Sequence, residues 1–217
     1  VVVFGQPANI KAIIDIGRKH GIKVLEDSCE AIGSEYDGAK AGSLADGAVF
    51  AFYPNKQITT AEGGMIVTND DTIADTCRSL RSQGRAVTGR WLHHDQMGYN
   101  YRLSELHSAL GVAQFSRLEE IMNKREQVAG FYFKHLAGID GVSLPWIHPK
   151  VTRMSWFVYT ITFDERIDRN KAMELLNEKG IDSKPYFTPI HLQPYMRKQF
   201  GFKEGDFPIT ERVGNST

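Results

Sequence analysis

Ala51-Phe-Tyr-Pro-Asn-Lys56-Gln-Ile-Thr-Thr60-Ala-Glu-Gly-Gly64-Met-Ile-Val-Thr68 is the stretch whose reading decides the fold. The apolar run from Ala48 to Phe52 predicts a short buried strand. It stops at Pro54-Asn55, a turn signal, because proline presets φ and removes an amide donor. Lys56 follows at once, so its amine sits on the rim of a strand. Gly63-Gly64 then allows close backbone approach, and Met65 to Thr68 resumes as a second strand. A lysine fixed between two buried strands is desolvated, which favours its neutral, nucleophilic form. Taken alone, the segment reads equally as a strand-end lysine in solvent.

Working outward, Lys23-Val-Leu-Glu-Asp27-Ser-Cys-Glu30-Ala-Ile-Gly33 is another strand that ends in a carboxylate. In parallel α/β sheets ligands gather at the carboxyl ends of strands, and Asp27 is placed there. A lysine that holds an aldehyde cofactor, with a buried aspartate beside it, is what pyridoxal phosphate requires, since the aspartate keeps the pyridine nitrogen protonated. On local grounds alone Asp27 is also a helix N-cap.

These two stretches, with Gly98-Tyr-Asn-Tyr-Arg102-Leu-Ser-Glu-Leu106 and Lys184-Pro-Tyr-Phe-Thr-Pro-Ile-His191, resemble the DegT/DnrJ/EryC1/StrS family of sugar aminotransferases, in the family's order and over essentially all 217 residues. The resemblance implies an α/β fold of the fold-type-I pyridoxal-phosphate class: a mostly parallel sheet flanked by helices, with a smaller α+β C-terminal domain. Residues 1–138 would be part of the large cofactor domain and 139–217 part of the small one. It further implies transfer of an amino group from an amino acid, glutamate by expectation, to a nucleotide-linked keto sugar, for amino-sugar or surface-polysaccharide synthesis. Lys56 would hold pyridoxal 5'-phosphate covalently and Asp27 would pair with its ring nitrogen. Glu30 would lie near its phenolic oxygen. Asn100 and Arg102 match positions that reach the neighbouring subunit's cofactor phosphate, so a homodimer with shared sites is expected. Tyr186 and His191 would line the sugar-nucleotide side. Two positions depart from the family. Ala51 replaces a frequent serine that contacts the phosphate. Ala61 replaces a glycine, so the turn is expected not to use a positive φ there. Two alternatives are a sugar dehydratase, which replaces the lysine with histidine, and a non-catalytic regulatory or scaffold homologue.

Composition excludes some classes of partner. The 26 basic and 26 acidic residues cancel, so there is no electrostatic footprint for nucleic acid or an anionic membrane. No apolar run approaches a membrane span. Cys29 and Cys77 form no CxxC pair and read as structural thiols in a reducing cytoplasm. His93-His94 is too isolated for a metal site.

Along the chain, Val1 to Phe4, a helix capped by Asn9 and Ile22 to Glu26 predict a parallel β-α-β unit. Tyr36-Asp37-Gly38 predicts a hairpin, and Asn69-Asp70-Asp71 caps a helix to about Leu80. The basic segment from Arg81 to Gln96, with Gly84 and Gly89, reads as a loop, either solvated or facing substrate. A long helical stretch starts at Ser104-Glu105 and runs to about Leu136, where Gly130 and the apolar excess predict a break or a buried packing face. Beyond a linker, Ser155 to Phe163 predicts a strand, Asp168 caps a helix to Lys179, and Ile181 to Phe187 predicts another strand. Both ends read as cut through structure. A fragment lacking the family's N-terminal segment is expected to bind the cofactor weakly.

Overall fold

Asn9 accepts the amide of Ala12 through its side chain and starts α1 (Ile10–Lys19), whose last turn carries Arg18 and Lys19 against the negative end of the helix dipole. The computed structural model describes residues 1–88 and 91–217. From α1 the chain turns through Gly21 into β1 (Leu25–Asp27). Helix and strand lie close: a Cβ on Gly17 would stand 2.7 Å from Val24 Cγ2 and 2.8 Å from the Ile22 carbonyl. The expected strand at residues 1–4 is not formed. One ladder bond exists, Val2 N–H to the Asp27 carbonyl at 2.8 Å, and then Phe4 and Gly5 adopt φ of 62° and 90°. Two successive positive φ values reverse the chain, so pairing cannot continue.

β2 (Glu35–Tyr36) and β3 (Ala39–Lys40) form the hairpin, with Asp37 and Gly38 both at positive φ, as a type I′ turn demands. β2 also pairs antiparallel with β7 (Val151–Arg153). β4 (Gly47–Ala51) is the central strand of its sheet. It runs parallel to β1, with Asp27 opposite Val49, and antiparallel to β5 (Gly64–Val67). This α/β sheet is therefore mixed rather than mostly parallel. Residues 52–63 link β4 to β5 without a crossover helix, and such a connection returns the chain antiparallel.

Asp70 accepts the amides of Thr72 and Ile73 and opens α2 (Asp71–Arg81). Ser104 caps α3 (Glu105–Phe115), and α4 (Leu118–Leu136) follows after a break at Ser116-Arg117. Gly130 lies within α4 and is exposed, so it marks neither a break nor a buried face. Ser116 Oγ instead bonds back to the Ala113 carbonyl, a local competitor for helical hydrogen bonding. Met122 of α4 is fully buried, and its side chain lies against Gly33.

Two compact units are distinguishable: residues 1–129 with 147–158, and residues 130–146 with 159–217. In the second, β6 (Val142–Ser143) pairs antiparallel with β8 (Thr162–Phe163). Asp168 caps α5 (Arg169–Glu178) by accepting from Asn170 and Lys171, and α6 (Pro194–Phe200) and α7 (Pro208–Ser216) follow. The expected strand 155–163 shrinks to its last two residues, because Trp156 takes φ 48° and ends any extended run. Residues 181–187 form no strand either. The Ser183 amide goes to the Asn177 side chain at 2.8 Å instead of to a neighbouring strand.

Candidate active site

Beyond β4 the Phe52 amide bonds the Gly63 carbonyl and the Thr60 amide bonds the Phe52 carbonyl, both at 2.9 Å, which closes a tight turn. Within it the Lys56 amide reaches back to the Tyr53 carbonyl at 3.0 Å. Tyr53, Pro54 and Asn55 are exposed, whereas Gln57 and Ile58 are buried and anchor the turn. The Lys56 side chain is only 14% exposed. Its Nζ lies 3.4 Å from Glu30 Oε1 and 4.3 Å from the centroid of the Phe157 ring. The turn does use a positive φ at Ala61 (67°), contrary to expectation. The Ala61 amide bonds Thr59 Oγ1 at 2.9 Å, and that local bond holds an alanine in a conformation that glycine adopts without cost.

Asp27 closes β1, and the parallel register puts its carboxylate at the same edge of the sheet as the turn that follows β4. Its Oδ1 accepts the Cys29 amide at 3.1 Å. The Cys29 side chain first, then the Cys29 amide, the N-terminal amine at Val1 and, least, the Lys56 charge hold the Asp27 carboxyl below the ordinary range, against the opposing effect of burial. Burial first, and Asp27 second, push the Cys29 thiol up to about 11, so it stays protonated. Glu30 is tied down at both ends. Its Oε2 accepts the Phe4 amide at 2.9 Å, while its carbonyl accepts Gln57 Nε2 at 2.7 Å and Ser155 Oγ at 2.9 Å.

Four residues here escaped the sequence reading. Ser155 is wholly buried and takes a second bond from Gln57 Nε2 at 2.8 Å. Arg125 of α4 donates Nη1 to the carbonyls of Trp156 and Phe157 at 2.8 and 3.2 Å. Gln57, between the lysine and Ile58, was within reach only as the lysine's neighbour. Ser155, Phe157 and Arg125 carry no local signal.

The remaining expected residues lie elsewhere. Arg102 Nε donates to Asn100 Oδ1 at 3.1 Å, and both side chains are exposed. Their segment is stitched to the end of α2 by Gln83 to Tyr99, Tyr99 to Leu80 and Tyr101 to Arg81 backbone bonds. Neither residue bonds Lys56 among the described residues. The segment read as a patternless loop is partly paired, with bonds from Ala86 to His93 and Asp95 to Gly84; Gly89 lies outside the described residues. In the second unit Tyr186 is half-buried with its ring against Phe187. His191 is buried, its Nε2 is 2.9 Å from Glu211 Oε1, and its ring meets Phe207 edge-on. Its polar edge is thus committed to an internal partner. Among the described residues no group of three or more His, Cys, Asp or Glu could hold a metal, and no helix is long and apolar enough to cross a membrane.

A sheltered lysine amine and an ionised aspartate at the carboxyl edge of one sheet define an α/β protein with a lysine-centred site. The chain belongs to the DegT/DnrJ/EryC1/StrS aminotransferase family, whose sequence profile matches residues 1–217. It is 39% identical over 197 residues to GDP-perosamine synthase of Caulobacter vibrioides, covering 89% of this chain and 53% of that protein. It is 34% identical over 217 residues to the spore coat polysaccharide biosynthesis protein SpsC of Bacillus subtilis, covering 94% of this chain and 56% of that one. Helicobacter pylori PseC, an aminotransferase involved in the biosynthesis of pseudoaminic acid, superposes with a TM-score of 0.86 at 28% identity over 98% of this chain and 57% of its own. The chain spans about half the length of the curated relatives it matches.

Proposed function

We propose that this chain carries the catalytic lysine of a pyridoxal 5'-phosphate-dependent aminotransferase, which moves an amino group from an amino acid, glutamate by preference, to a nucleotide-linked keto sugar for amino-sugar or polysaccharide synthesis. The observation that carries the reading is the placement of Lys56 and Asp27 at the carboxyl edge of adjacent parallel strands. The donor set fits the cofactor in two respects, an amine for its aldehyde and an ionised carboxylate for its ring nitrogen. Ala51 offers no hydroxyl to its phosphate. Pyridoxal phosphate supplies an electron sink when bound. Lys56 attaches it and, once free, moves the proton from the donor's Cα. Asp27, held ionised, keeps the ring nitrogen protonated. Glu30 stands beside the lysine and would accompany the phenolic oxygen of the bound cofactor.

Asn100 and Arg102 serve the neighbouring subunit's cofactor phosphate in a homodimer. Their exposure, and their lack of a bond to Lys56 among the described residues, support that role over one in their own chain's site. Tyr186 contacts the sugar nucleotide, and His191 acts by shaping that region. Residues 1–138 belong to the large domain and 139–217 to the small one, except that residues 147–158 fall in the first compact unit and 130–138 in the second. The protein is cytoplasmic, a location to which its free Cys29 and Cys77 are suited.

Borohydride reduction of the cofactor-loaded protein followed by peptide mapping tests the core of this reading. The cofactor adduct is expected on Lys56, and an adduct on Lys23 or Lys184 refutes it. Glutamate turnover with a panel of nucleotide keto sugars then identifies the acceptor. A mixed dimer of Lys56→Ala and Asn100→Ala chains, which regains activity if sites are shared, tests the dimer.

A further inference from the structure

Lys56 must do two things in the proposed reaction: attach the cofactor, then let go and work as a free amine. A released lysine on a flexible four-carbon stem has many places to go, and only one is useful. The structure holds this amine between two groups that face it. Glu30 Oε1 is 3.4 Å away, longer than the roughly 2.7–2.9 Å of a tight charge-assisted bond. The Phe157 ring presents its face 4.3 Å from Nζ, inside the range in which an ammonium is drawn to an aromatic quadrupole. Both contacts attract without locking.

The two groups are themselves fixed from behind. Glu30 is gripped through its second carboxylate oxygen by the Phe4 amide and through its carbonyl by Gln57 and Ser155. Phe157 follows Trp156, whose φ of 48° turns the chain, and Arg125 clamps the carbonyls of both residues. Ser155, one residue earlier, is bonded by its amide to the Gly5 carbonyl at 3.1 Å. A Cβ on Gly5 would stand 2.9 Å from the Trp156 nitrogen, so the close approach requires glycine. That is a great deal of bracing for one apolar side chain unless its position matters.

We infer that Phe157 and Glu30 form a resting cradle for the free amine of Lys56, and that Phe157 is a positioning residue for the lysine, a role resting on the function proposed above. The cradle acts on the lysine with or without cofactor, so it is tested in the cofactor-free protein. Amines are reductively methylated at fixed pH, and the initial rate at Lys56 is read by mass spectrometry, with exposed Lys23 as internal reference. Phe157→Leu keeps bulk but removes the aromatic face, and the Lys56 rate is expected to rise about three- to tenfold, the scale of one cation–π contact. Phe157→Tyr restores the slow rate, and Lys23 does not change. Glu30→Gln, which keeps an acceptor for the Phe4 amide, is also expected to speed Lys56 and decides the matter should Phe157→Leu fail to fold. An unchanged Lys56 rate in Phe157→Leu, or in Glu30→Gln where the first variant is unfolded, overturns the cradle. Failure of the parent reading looks different: the wild-type protein then takes up no cofactor on Lys56, whatever the methylation rates.

Discussion

Replacing Ala61 with glycine should make this protein more stable, although it deletes a methyl group. Ala61 sits at φ 67° in the turn between the lysine and β5. The left-handed region costs an L-residue about 1–2 kcal/mol, and glycine escapes that cost. Against this, glycine's freedom in the unfolded chain returns about 0.5–1 kcal/mol. The lost methyl is exposed, so its burial contributes only a few tenths at about 25 cal/mol per Å². The bond from the residue 61 amide to Thr59 Oγ1 is a main-chain donor and survives the change. The balance is a gain of about 0.5–1 kcal/mol, which for a chain of this size is a rise in Tm of roughly 1–4 °C. Urea unfolding of both proteins measures it, with the m-value expected unchanged because the surface exposed is the same. A lower midpoint for Ala61→Gly would show that the methyl makes a contact worth more than the backbone strain. The reasoning would then be wrong.

Asp27→Asn retains an acceptor for the Cys29 amide and should keep the fold; in the full-length protein, on the function proposed above, it should lose transamination by on the order of a hundredfold or more, the scale of one aimed charge-assisted bond, and near-normal turnover in a steady-state assay would reduce Asp27 to a turn residue. The Glu211 carboxyl is held below its ordinary 4.5 by the Gly205 amide, then by His191 and the Phe207 amide. Its contribution is therefore full above about 4.5 and lost as pH falls through the depressed folded value, because the unfolded chain takes the proton first. The difference in urea midpoint between wild type and Glu211→Gln should accordingly shrink as pH is lowered below that point, and a pH-independent difference would contradict the linkage. His191→Ala removes the bond to Glu211 and opens a void beside Phe207, so a loss of about 2–3 kcal/mol in chemical denaturation is expected. A loss under about 0.5 kcal/mol would free His191 for the substrate role its motif suggested.

The features legible in the sequence were those fixed by a few adjacent residues. Asn9 and Asp168 cap their helices as read, Asp70 is the cap within Asn69-Asp70-Asp71, and the helix expected from Ser104-Glu105 starts there, since an N-cap bond spans two or three residues. Asp37-Gly38 made its hairpin for the same reason. Lys56 and Asp27 were reachable because strand ends and turn residues mark them locally. What failed was set by distant partners or by backbone states that composition does not announce. Ser155 to Tyr159 alternates like a strand, but its fate is decided by Arg125 and by bonds to Gly5 and Glu30. Ala61 carries a positive φ because the turn closes around it, against its own preference. Ile181 to Phe187 has strand composition, but the Ile181 amide bonds the Leu176 carbonyl at the end of α5 and the Ser183 amide bonds the Asn177 side chain.

The polar knot at Ser155 has a consequence for how the protein comes into being. It joins residues 5, 30, 57 and 155, with sequence separations of 98, 125 and 150. Contacts so far apart along the chain close late, because the loop entropy is lost before they return any stabilisation. During synthesis Lys56 emerges a hundred residues before the segment that will shelter it. Its amine is thus an ordinary, open lysine through most of its birth and becomes a guarded one in the final steps. Pulse methylation during refolding should find Lys56 reactive after most of the helical signal has formed by far-ultraviolet circular dichroism, and protection that coincides with that signal would contradict this order. A protein built this way keeps its reactive group ordinary until the structure that gives it a purpose is complete.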